Sequence, residues 1–406
     1  MNNSLLRQGM SLGALLLAFL VSPMTAVAQD VPTDAPTDAP AAAAAAPANA
    51  EAARLADAGD FAGARKIALA DLRSGKVTSS AEFWSYVERD PMMSHTLDAE
   101  VQPHGSNYIA ALGGGSTVSF KYRDSEDESM KAALKPDQDL RTTMYRSGIA
   151  FYRMCTILGC SFKTAVTRPA RFSKDDFNKL YSATDAKSKG YKSKFTHLIW
   201  KKEDGKEYLY VGFKEWIPDF DHFPIEATAV WSPYLKNPKA ELPPIDEFLK
   251  KMLEAGRENA MRKSYKKILG YMEGVTTREL LQQISDMILI DYLTNNWDRF
   301  SESKNSYGAN CNIQKGGLVA IDNDAAFPPW HTPRVVKRIR LVEMFSRELV
   351  ENLRTLNEDE LLEHLFPNAP KSEKANLQRF RERRADALKY IDELIAKKGE
   401  ENVLVF

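Results

Sequence analysis

The stretch from Thr294 to Asp324 contains residues whose types and spacing suit phosphate and metal chemistry. Asp298 follows a predicted helix, Asp322 follows an apolar run that predicts a strand, and Asn310 lies between them. Phosphoryl transfer needs one carboxylate that orients or deprotonates the acceptor hydroxyl. It also needs a second carboxylate, usually with an amide oxygen, that holds Mg²⁺ against the phosphates. The order of these three residues therefore predicts a phosphotransferase site, with an ordinary turn between two elements as the alternative.

The neighbouring elements are predicted to hold Asp298 and Asp322 at the ends of regular structure. Arg278–Leu293 has a helical apolar pattern and ends just before Asp298. Residues 310–321 predict a hairpin that turns at Lys315–Gly317 and delivers Asp322. Further helices are predicted in the same part of the chain, at Ile245–Arg262, Val335–Leu353 and Lys374–Lys398.

The part of the chain before this one has a strand pattern. Three β-prone runs come first, the first two separated by the glycines Gly113, Gly114 and Gly115: Asn107–Leu112, Thr117–Arg123 and Met130–Pro136. A helix over Leu140–Leu158, ended by Gly159, and a strand over Tyr208–Trp216 follow. A β-rich part followed by an α-rich part predicts an α+β fold of two lobes with a cleft between them.

Four short motifs in this order resemble a known group of enzymes. The sequences "AALKP", "DYLTNNWDR", "NCNI" and "LVAIDNDAAFP" are similar to those of the secretory-pathway kinases that include the Golgi casein kinase and four-jointed. They resemble the type II phosphatidylinositol 4-kinases nearly as much. The resemblance extends from Asn107 to the C-terminus. It implies a two-lobed protein-kinase-like fold, with residues 91–216 as the small lobe and 217–406 as the large lobe.

The resemblance also implies a role for individual residues. Lys135 would contact the phosphates of ATP or another nucleotide, beneath a loop formed by Gly113, Gly114 and Gly115. Asp298 would be the catalytic base, and Asp322 would hold Mg²⁺ or Mn²⁺ together with Asn310, with Asn312 as the rival amide. The acceptor would be a hydroxyl of a protein or a glycan.

One departure from the family pattern affects Lys135. The family carries a glutamate on the helix after this lysine, where this chain has Gly148, and Leu140–Leu158 contains no acidic residue. An unpaired buried lysine is costly, so we expect a carboxylate from elsewhere, with Glu215 and Glu226 as candidates. The alternative is a catalytically inactive pseudokinase that binds a partner or nucleotide, and a lipid kinase is a third possibility.

A second departure concerns the family's Asp-Asn-Gly, which is Asp322-Asn323-Asp324 in this chain. The additional carboxylate of Asp324 either joins the metal site or replaces a turn residue.

The N-terminal residues predict export. Arg7, the apolar run Leu12–Val21 and the small-residue sequence AVA before Gln29 are typical of a signal peptide over residues 1–28. Such a leader directs the chain to the periplasm or the extracellular space. No later segment is apolar enough to span a bilayer, so we expect no transmembrane anchor.

Two further segments precede the lobes. Residues 29–50 repeat Pro, Thr, Asp and Ala and predict a disordered linker, because they contain almost no bulky apolar side chains. Residues 51–90 begin with two short helical patterns around Gly59-Asp60 and predict a helical hairpin appendage.

Charge and cysteine content limit the partners and the compartment. The chain contains 55 basic residues (Lys and Arg) and 55 acidic residues (Asp and Glu). The formal net charge is therefore zero, and no excess of positive charge would attract nucleic acid. Cys155 and Cys160 can pair if the chain turns back at Gly159, and Cys311 would then remain a thiol. Three buried thiols are the alternative.

Overall fold

The computed structural model describes most of the chain after residue 49. The described residues are 50–58, 60–74, 76, 83–84, 100–101, 103, 105–112, 117–124, 126–127, 129–140, 144–181, 194–255, 265–300, 310–328, 330, 332–357, 361, 364–366 and 371–406. The predicted signal peptide, nearly all of the linker and the triple glycine Gly113–Gly115 lie outside them.

Residues 105–216, called the sheet region here, form a mainly antiparallel sheet. Its six strands are β1 (Asn107–Ala111), β2 (Phe120–Asp124), β3 (Met130–Pro136), β5 (Thr167–Ser173), β6 (Trp200–Glu203) and β7 (Lys206–Glu215). The path through the sheet is β1-β2-β3-β7-β5, and β6 also pairs with β7. Aromatic and branched side chains on one face, among them Phe120, Phe172 and Val211, form a separate core. The predicted strands are confirmed, whereas β5 and β6 were not predicted.

A buried helix packs beside this sheet. Helix α3 (Tyr145–Leu158) has almost every side chain buried, and Gly159 ends it in the left-handed conformation with a φ of 76°, as such a C-cap requires. Cys155 and Cys160 form a disulfide across this turn, and Cys311 is a buried thiol. The pairing suits an oxidising compartment. The sheet region also contains the short helix α4 (Lys174–Leu180).

Residues 217–406, called the helical region here, are mostly helical where the structure describes them. The helices are α5 (Thr228–Trp231), α6 (Ile245–Ala255), α7 (Tyr265–Tyr271), α8 (Thr277–Leu293), α9 (Pro333–Ile339), α10 (Arg347–Thr355) and α11 (Lys371–Lys398). Helix α8 starts with a capping box between Thr276 and Glu279, and most of its residues are buried in the larger core.

A small second sheet lies within this core. Its strands are β4 (Lys163–Thr164), β8 (Asp221–His222), β9 (Cys311–Gln314) and β10 (Gly317–Ala320), in the order β4-β10-β9-β8. β9 and β10 form the predicted hairpin. β4 comes from the chain just after α3 and pairs in parallel with β10.

The predicted single helix Val335–Leu353 is wrong. The structure has α9 and α10 there, separated by residues 340–346. Within this gap the backbone N–H of Phe345 donates to the carbonyl of Val403 at 2.7 Å, and its carbonyl accepts from Phe406 at 3.3 Å. Three apolar side chains of the gap, Val342, Met344 and Phe345, are buried, so their spacing resembled a helical pattern while the backbone of Phe345 bonds to another segment.

The N-terminal appendage contains the two predicted helices, α1 (Ala50–Asp57) and α2 (Phe61–Arg73), with Asp60 capping the second. Farther along, the buried Trp84 donates from Nε1 to Nδ1 of His364 at 2.9 Å, which anchors this segment to the helical region. None of the described helices has the length and apolar composition needed to cross a membrane.

Candidate active site

A cavity of about 280 Å³ lies between the sheet region and the helical region. Its lining from the sheet region includes Ala133, Lys135 and Lys214, and its lining from the helical region includes Asn310 and Asp322. Three further side chains give it an apolar part: Trp216, Ile217 and Phe220. A concave site with one apolar part and a few converging polar groups is typical of a small-molecule pocket.

Lys135 extends from β3 into this pocket and is 3 % exposed. Its Nζ donates to Oγ1 of Thr117 at 2.6 Å and lies 3.6 Å from Oδ1 of Asp322. The Oδ2 of Asp324 is 3.9 Å away. β3 pairs between β2 and β7, and the face of the sheet that carries Lys135 is turned toward the helical region, where Asp322 and Asp324 lie.

Asp322 lies just after β10, at the point where the hairpin ends. Its φ of 49° and ψ of 50° are left-handed, a conformation that non-glycine residues adopt at a cost and that is frequent at functional sites. The side chain is 51 % exposed. Partial desolvation of the carboxyl within the cavity opposes ionisation, but the charges of Lys135 and Lys214 outweigh it and hold the pKa of Asp322 well below its usual range. The group is therefore an open, ionised carboxylate.

Asp324 is the buried partner of the same two lysines. Its side chain is completely buried and forms a short ion pair with Nζ of Lys214. Burial raises the pKa of Asp324 to about 6, and Lys214 and Lys135 oppose this rise while Asp322 adds to it. The sequence had suggested a metal ligand or a turn residue at this position.

The expectation that Glu215 or Glu226 pairs with Lys135 is wrong. Among the described residues, the carboxylates within ion-pair distance of Lys135 are those of Asp322 and Asp324. Oε2 of Glu215 instead accepts from the backbone N–H of Val166 at 3.4 Å. Glu215 lies on β7, the strand beside β3, where it is paired with Ala132 rather than with Lys135.

Asp298 is held by Asn310. The Nδ2 of Asn310 donates to Oδ2 of Asp298 at 2.9 Å and to its backbone carbonyl at 3.0 Å. Burial raises the pKa of Asp298, and the negative charge of Asp322 raises it further. Asp298 does not line the cavity itself, but Asn310 does, so the carboxylate lies directly behind the pocket wall.

Arg299 organises the loop that carries Asp298. It is completely buried and donates to both carboxylate oxygens of Asp291 at 3.1 Å. The same guanidinium donates to the carbonyl of Asn310, to that of Ile321 at 3.2 Å, and to Oδ1 of Asn323 at 2.5 Å. One side chain thus fixes the end of α8, the start of β9 and the residue after Asp322.

The rival asparagine has another contact. Oδ1 of Asn312 lies 2.8 Å from Nδ1 of His222, the side chain is fully buried, and Asn312 is not among the lining residues. Neighbouring residues of a strand point to opposite faces, but residues two apart share one, which is why the sequence could not choose between Asn310 and Asn312.

Sequence reasoning missed two residues of this site. Lys214 belongs to the predicted strand Tyr208–Trp216, yet a lysine in a strand is usually solvated. Arg299 belongs to the motif DYLTNNWDR, but nothing in the sequence indicated a role for it. Its partner, Asp291, lies eight positions earlier. The usable signal was Asp291 within the otherwise apolar run Met287–Leu293, because such a residue needs a buried partner.

The donor atoms suit a divalent cation that also binds phosphate oxygens. Asp322 offers a carboxylate, and Asn310 offers its amide oxygen because both donors of its amide nitrogen face Asp298. The described residues contain no group of three or more His, Cys, Asp and Glu side chains that could hold a metal ion. Two protein ligands match Mg²⁺, which usually keeps waters and takes phosphates as its other ligands.

No protein-family model matches this chain, and no curated protein matches it. Solved structures similar to it include the Golgi casein kinase with Mn/ADP bound, at 13 % identity and a TM-score of 0.45 over 82 % of this chain and 84 % of that chain. A hydra Fam20 structure with sugar matches at 11 % identity and a TM-score of 0.42, over 74 % and 89 % of the two chains.

The amicoumacin kinase hAmiN in complex with AMP-PNP, Ca²⁺ and Ami matches at 12 % identity and a TM-score of 0.22, over 77 % of this chain and 95 % of that chain. These structural neighbours include the secretory-pathway kinases that the sequence motifs resemble. Because the TM-scores are below 0.5, the interpretation of the site rests on its own contacts and distances.

Proposed function

We propose that this chain is a kinase-like phosphotransferase that moves phosphate from a nucleotide to a hydroxyl of a protein or a sugar. The observation that carries the proposal is that Lys135, Asp322 and Asn310 line one pocket, with Asp298 bonded to Asn310 behind its wall. Two of these come from opposite sides of the cavity, with Nζ of Lys135 3.6 Å from Oδ1 of Asp322. The other two are joined by a hydrogen bond of 2.9 Å.

Each residue has a role that its environment suits. Lys135 provides a positive charge for the phosphates, and Asp322 with the amide oxygen of Asn310 holds Mg²⁺ or Mn²⁺. When bound, the metal would neutralise charge that develops on the transferred phosphoryl group. The raised pKa of Asp298 makes it a better proton acceptor than an exposed aspartate, so it serves as the base for the acceptor hydroxyl.

The apolar part of the pocket is the proposed position of the nucleobase. Trp216, Ile217 and Phe220 line it, at the point where the chain leaves β7. Their flat and branched side chains can cover a planar ring, while Lys135 and Asp322 lie toward the phosphates. ATP is therefore the nucleotide to test first. The Gly113–Gly115 loop, which lies outside the described residues, remains a proposed cover for the phosphates.

We further propose that the protein acts after export, in the periplasm or outside the cell. The leader-like sequence of residues 1–28 motivates this, and the disulfide between Cys155 and Cys160 supports it, because such bonds persist in oxidising compartments.

Calorimetry and a phosphate-transfer assay test the proposal. ATP should bind in the presence of Mg²⁺ or Mn²⁺ and bind much more weakly after chelation. Asp322→Asn keeps the shape but removes the charge that faces the metal, so it should remove the metal-dependent part of the affinity. Tight binding that needs no metal and survives this substitution would contradict the metal site. Metal-dependent binding without transfer to any protein or glycan acceptor would instead identify the inactive binding module.

A further inference from the structure

We propose that Asp324, and not a helix glutamate, is the carboxylate that positions Lys135, and that Gly148 is needed to leave space for it. The inference rests on the proposed function, because it assigns a positioning residue to the same site. It explains two departures from the family pattern, at Gly148 and at Asp324, as one exchange.

The first observation is steric. A Cβ atom added at Gly148 would lie 2.3 Å from Oδ1 of Asp324, far closer than any real contact. Gly148 lies within α3, where a glycine costs stability relative to alanine, so an ordinary helix position would favour another residue. The absence of a side chain at Gly148 therefore leaves the space that the buried Asp324 carboxylate occupies.

The second observation is electrostatic. Asp324 has no exposed side-chain surface, and the two lysines beside it, Lys135 and Lys214, are 4 % and 13 % exposed. A buried carboxylate needs such partners, since an unpaired charge in the interior is strongly destabilising. Asp322 shares Lys135 but is half exposed. One aspartate is therefore available to a metal while the other remains with the lysines.

Lys135 remains paired during metal binding only if Asp322 binds the metal and Asp324 stays beside the lysine. When a cation takes the carboxylate of Asp322, the lysine loses part of that attraction and retains Asp324. In a site with a helix glutamate, that glutamate would supply the second charge. In this chain the second negative charge comes from Asp324, which lies two positions after the metal ligand Asp322.

The third observation concerns how this loop is connected to α3. The backbone N–H of Met144, at the start of the helix, donates to the carbonyl of Asp324 at 3.3 Å. Asp324 thus contacts the residue before the helix through its backbone and faces Gly148, in the first turn of the helix, through its side chain. α3 is positioned against Lys135 through this loop.

The test begins with Asp324→Asn, which preserves volume and removes the charge. We expect its affinity for ATP with Mn²⁺ to fall roughly tenfold or more, as for the loss of a charge-assisted contact, with kcat reduced as well. Asp286→Asn is the matched control. Asp286 is also a buried aspartate, but it accepts from the backbone N–H and Oγ of Ser161 at 3.1 and 2.6 Å, away from the lining of the pocket. It should leave ATP binding unchanged.

A second experiment uses unfolding temperature without any nucleotide. Gly148→Ala should lower it in the wild-type background, because the new Cβ meets Oδ1 of Asp324. In the Asp324→Gly background the same change should cost nothing or raise it, since the obstructing carboxylate is gone. Equal shifts in both backgrounds would overturn the steric half of the inference.

A third variant restores the carboxylate from the helix. Gly148→Glu combined with Asp324→Gly should recover a substantial part of the ATP affinity and kcat that Asp324→Gly loses, whereas Gly148→Glu alone should impair both. Full activity and affinity in Asp324→Asn would overturn the positioning role while leaving the proposed function intact. If wild type fails to bind ATP with Mg²⁺ or Mn²⁺, the proposed function itself fails, and the unfolding cycle still reports on Gly148 and Asp324.

Discussion

The two acidic parts of the site are built differently. Around Asp322 the structure is an assembly of charges, two lysines and two aspartates contributed by both the sheet region and the helical region. Around Asp298 it is a hydrogen-bonded loop, fixed by Asn310 and Arg299 within the helical region. The group of charges around Asp322 depends on how the sheet region packs against the helical region. The loop around Asp298 does not, because its contacts lie within the helical region. Nucleotide binding and proton transfer should therefore respond to different substitutions.

The largest separation is expected from Asp298→Ala. Loss of a general base costs roughly 10²- to 10⁴-fold in rate, so kcat should fall by that order while ATP affinity remains. Initial rates and calorimetry on the same preparation check this. Asp298→Asn, which keeps a partner for Asn310, should lose rate to a similar degree. Transfer that survives either substitution would refute the role of Asp298.

Among these substitutions, Arg299→Met should lower the free energy of unfolding most. It leaves Asp291 buried without its partner, which costs about 3–5 kcal/mol. Urea unfolding measures the loss. The double variant Asp291→Asn with Arg299→Met should recover part of it, because no isolated charge then remains. Arg354→Met removes an exposed ion pair with Asp392 and should have little effect. Similar losses for both arginines would mean that burial of the guanidinium is unimportant.

Asn310→Ala should affect both parts of the site. It removes one proposed metal ligand, so metal-dependent ATP affinity should fall about tenfold or more. It also frees the carboxylate of Asp298, so kcat should fall too. A titration of ATP at several Mn²⁺ concentrations distinguishes the two effects. If ATP affinity were unchanged at low Mn²⁺, Asn310 would not be a ligand.

Asn312→Ala should have the smallest effect. Its amide contacts His222, so the expected cost is about 1 kcal/mol of unfolding free energy. ATP affinity and kcat should remain at wild-type values, as judged by the assays used for Asn310→Ala. A loss of metal-dependent binding here would reverse the assignment of the two asparagines.

The sequence predicted the parts of this fold that have regular periodicity. Strands β1, β2, β3 and β7 and helices α3 and α8 were predicted within a few residues, because their apolar patterns match their burial. β5 was missed since arginine and proline interrupt its pattern, and its pairing with β7, which lies far along the chain, cannot be read from that pattern. The boundary between α9 and α10 was missed because backbone bonds to residues 403 and 406 decide it.

The site shows the same limit at the level of side chains. Lys135, Asp298, Asn310 and Asp322 were identified because their types and order match phosphoryl-transfer chemistry. The partner of Lys135 could not be identified in this way. Asp324 reaches it through a turn at Asp322 that the sequence does not specify, and through space that only the packing of α3 against the loop reveals.

The two-residue strand β4 has a mechanical consequence. It pairs with β10 immediately after the turn closed by the Cys155–Cys160 disulfide, and Oγ1 of Thr164 accepts from Nδ2 of Asn323 at 3.2 Å. The chain then returns to the sheet through β5. This pairing therefore connects the segment that joins α3 to β5 directly to the chain that carries Asp322, so the two regions are linked by backbone hydrogen bonds at the metal side of the pocket.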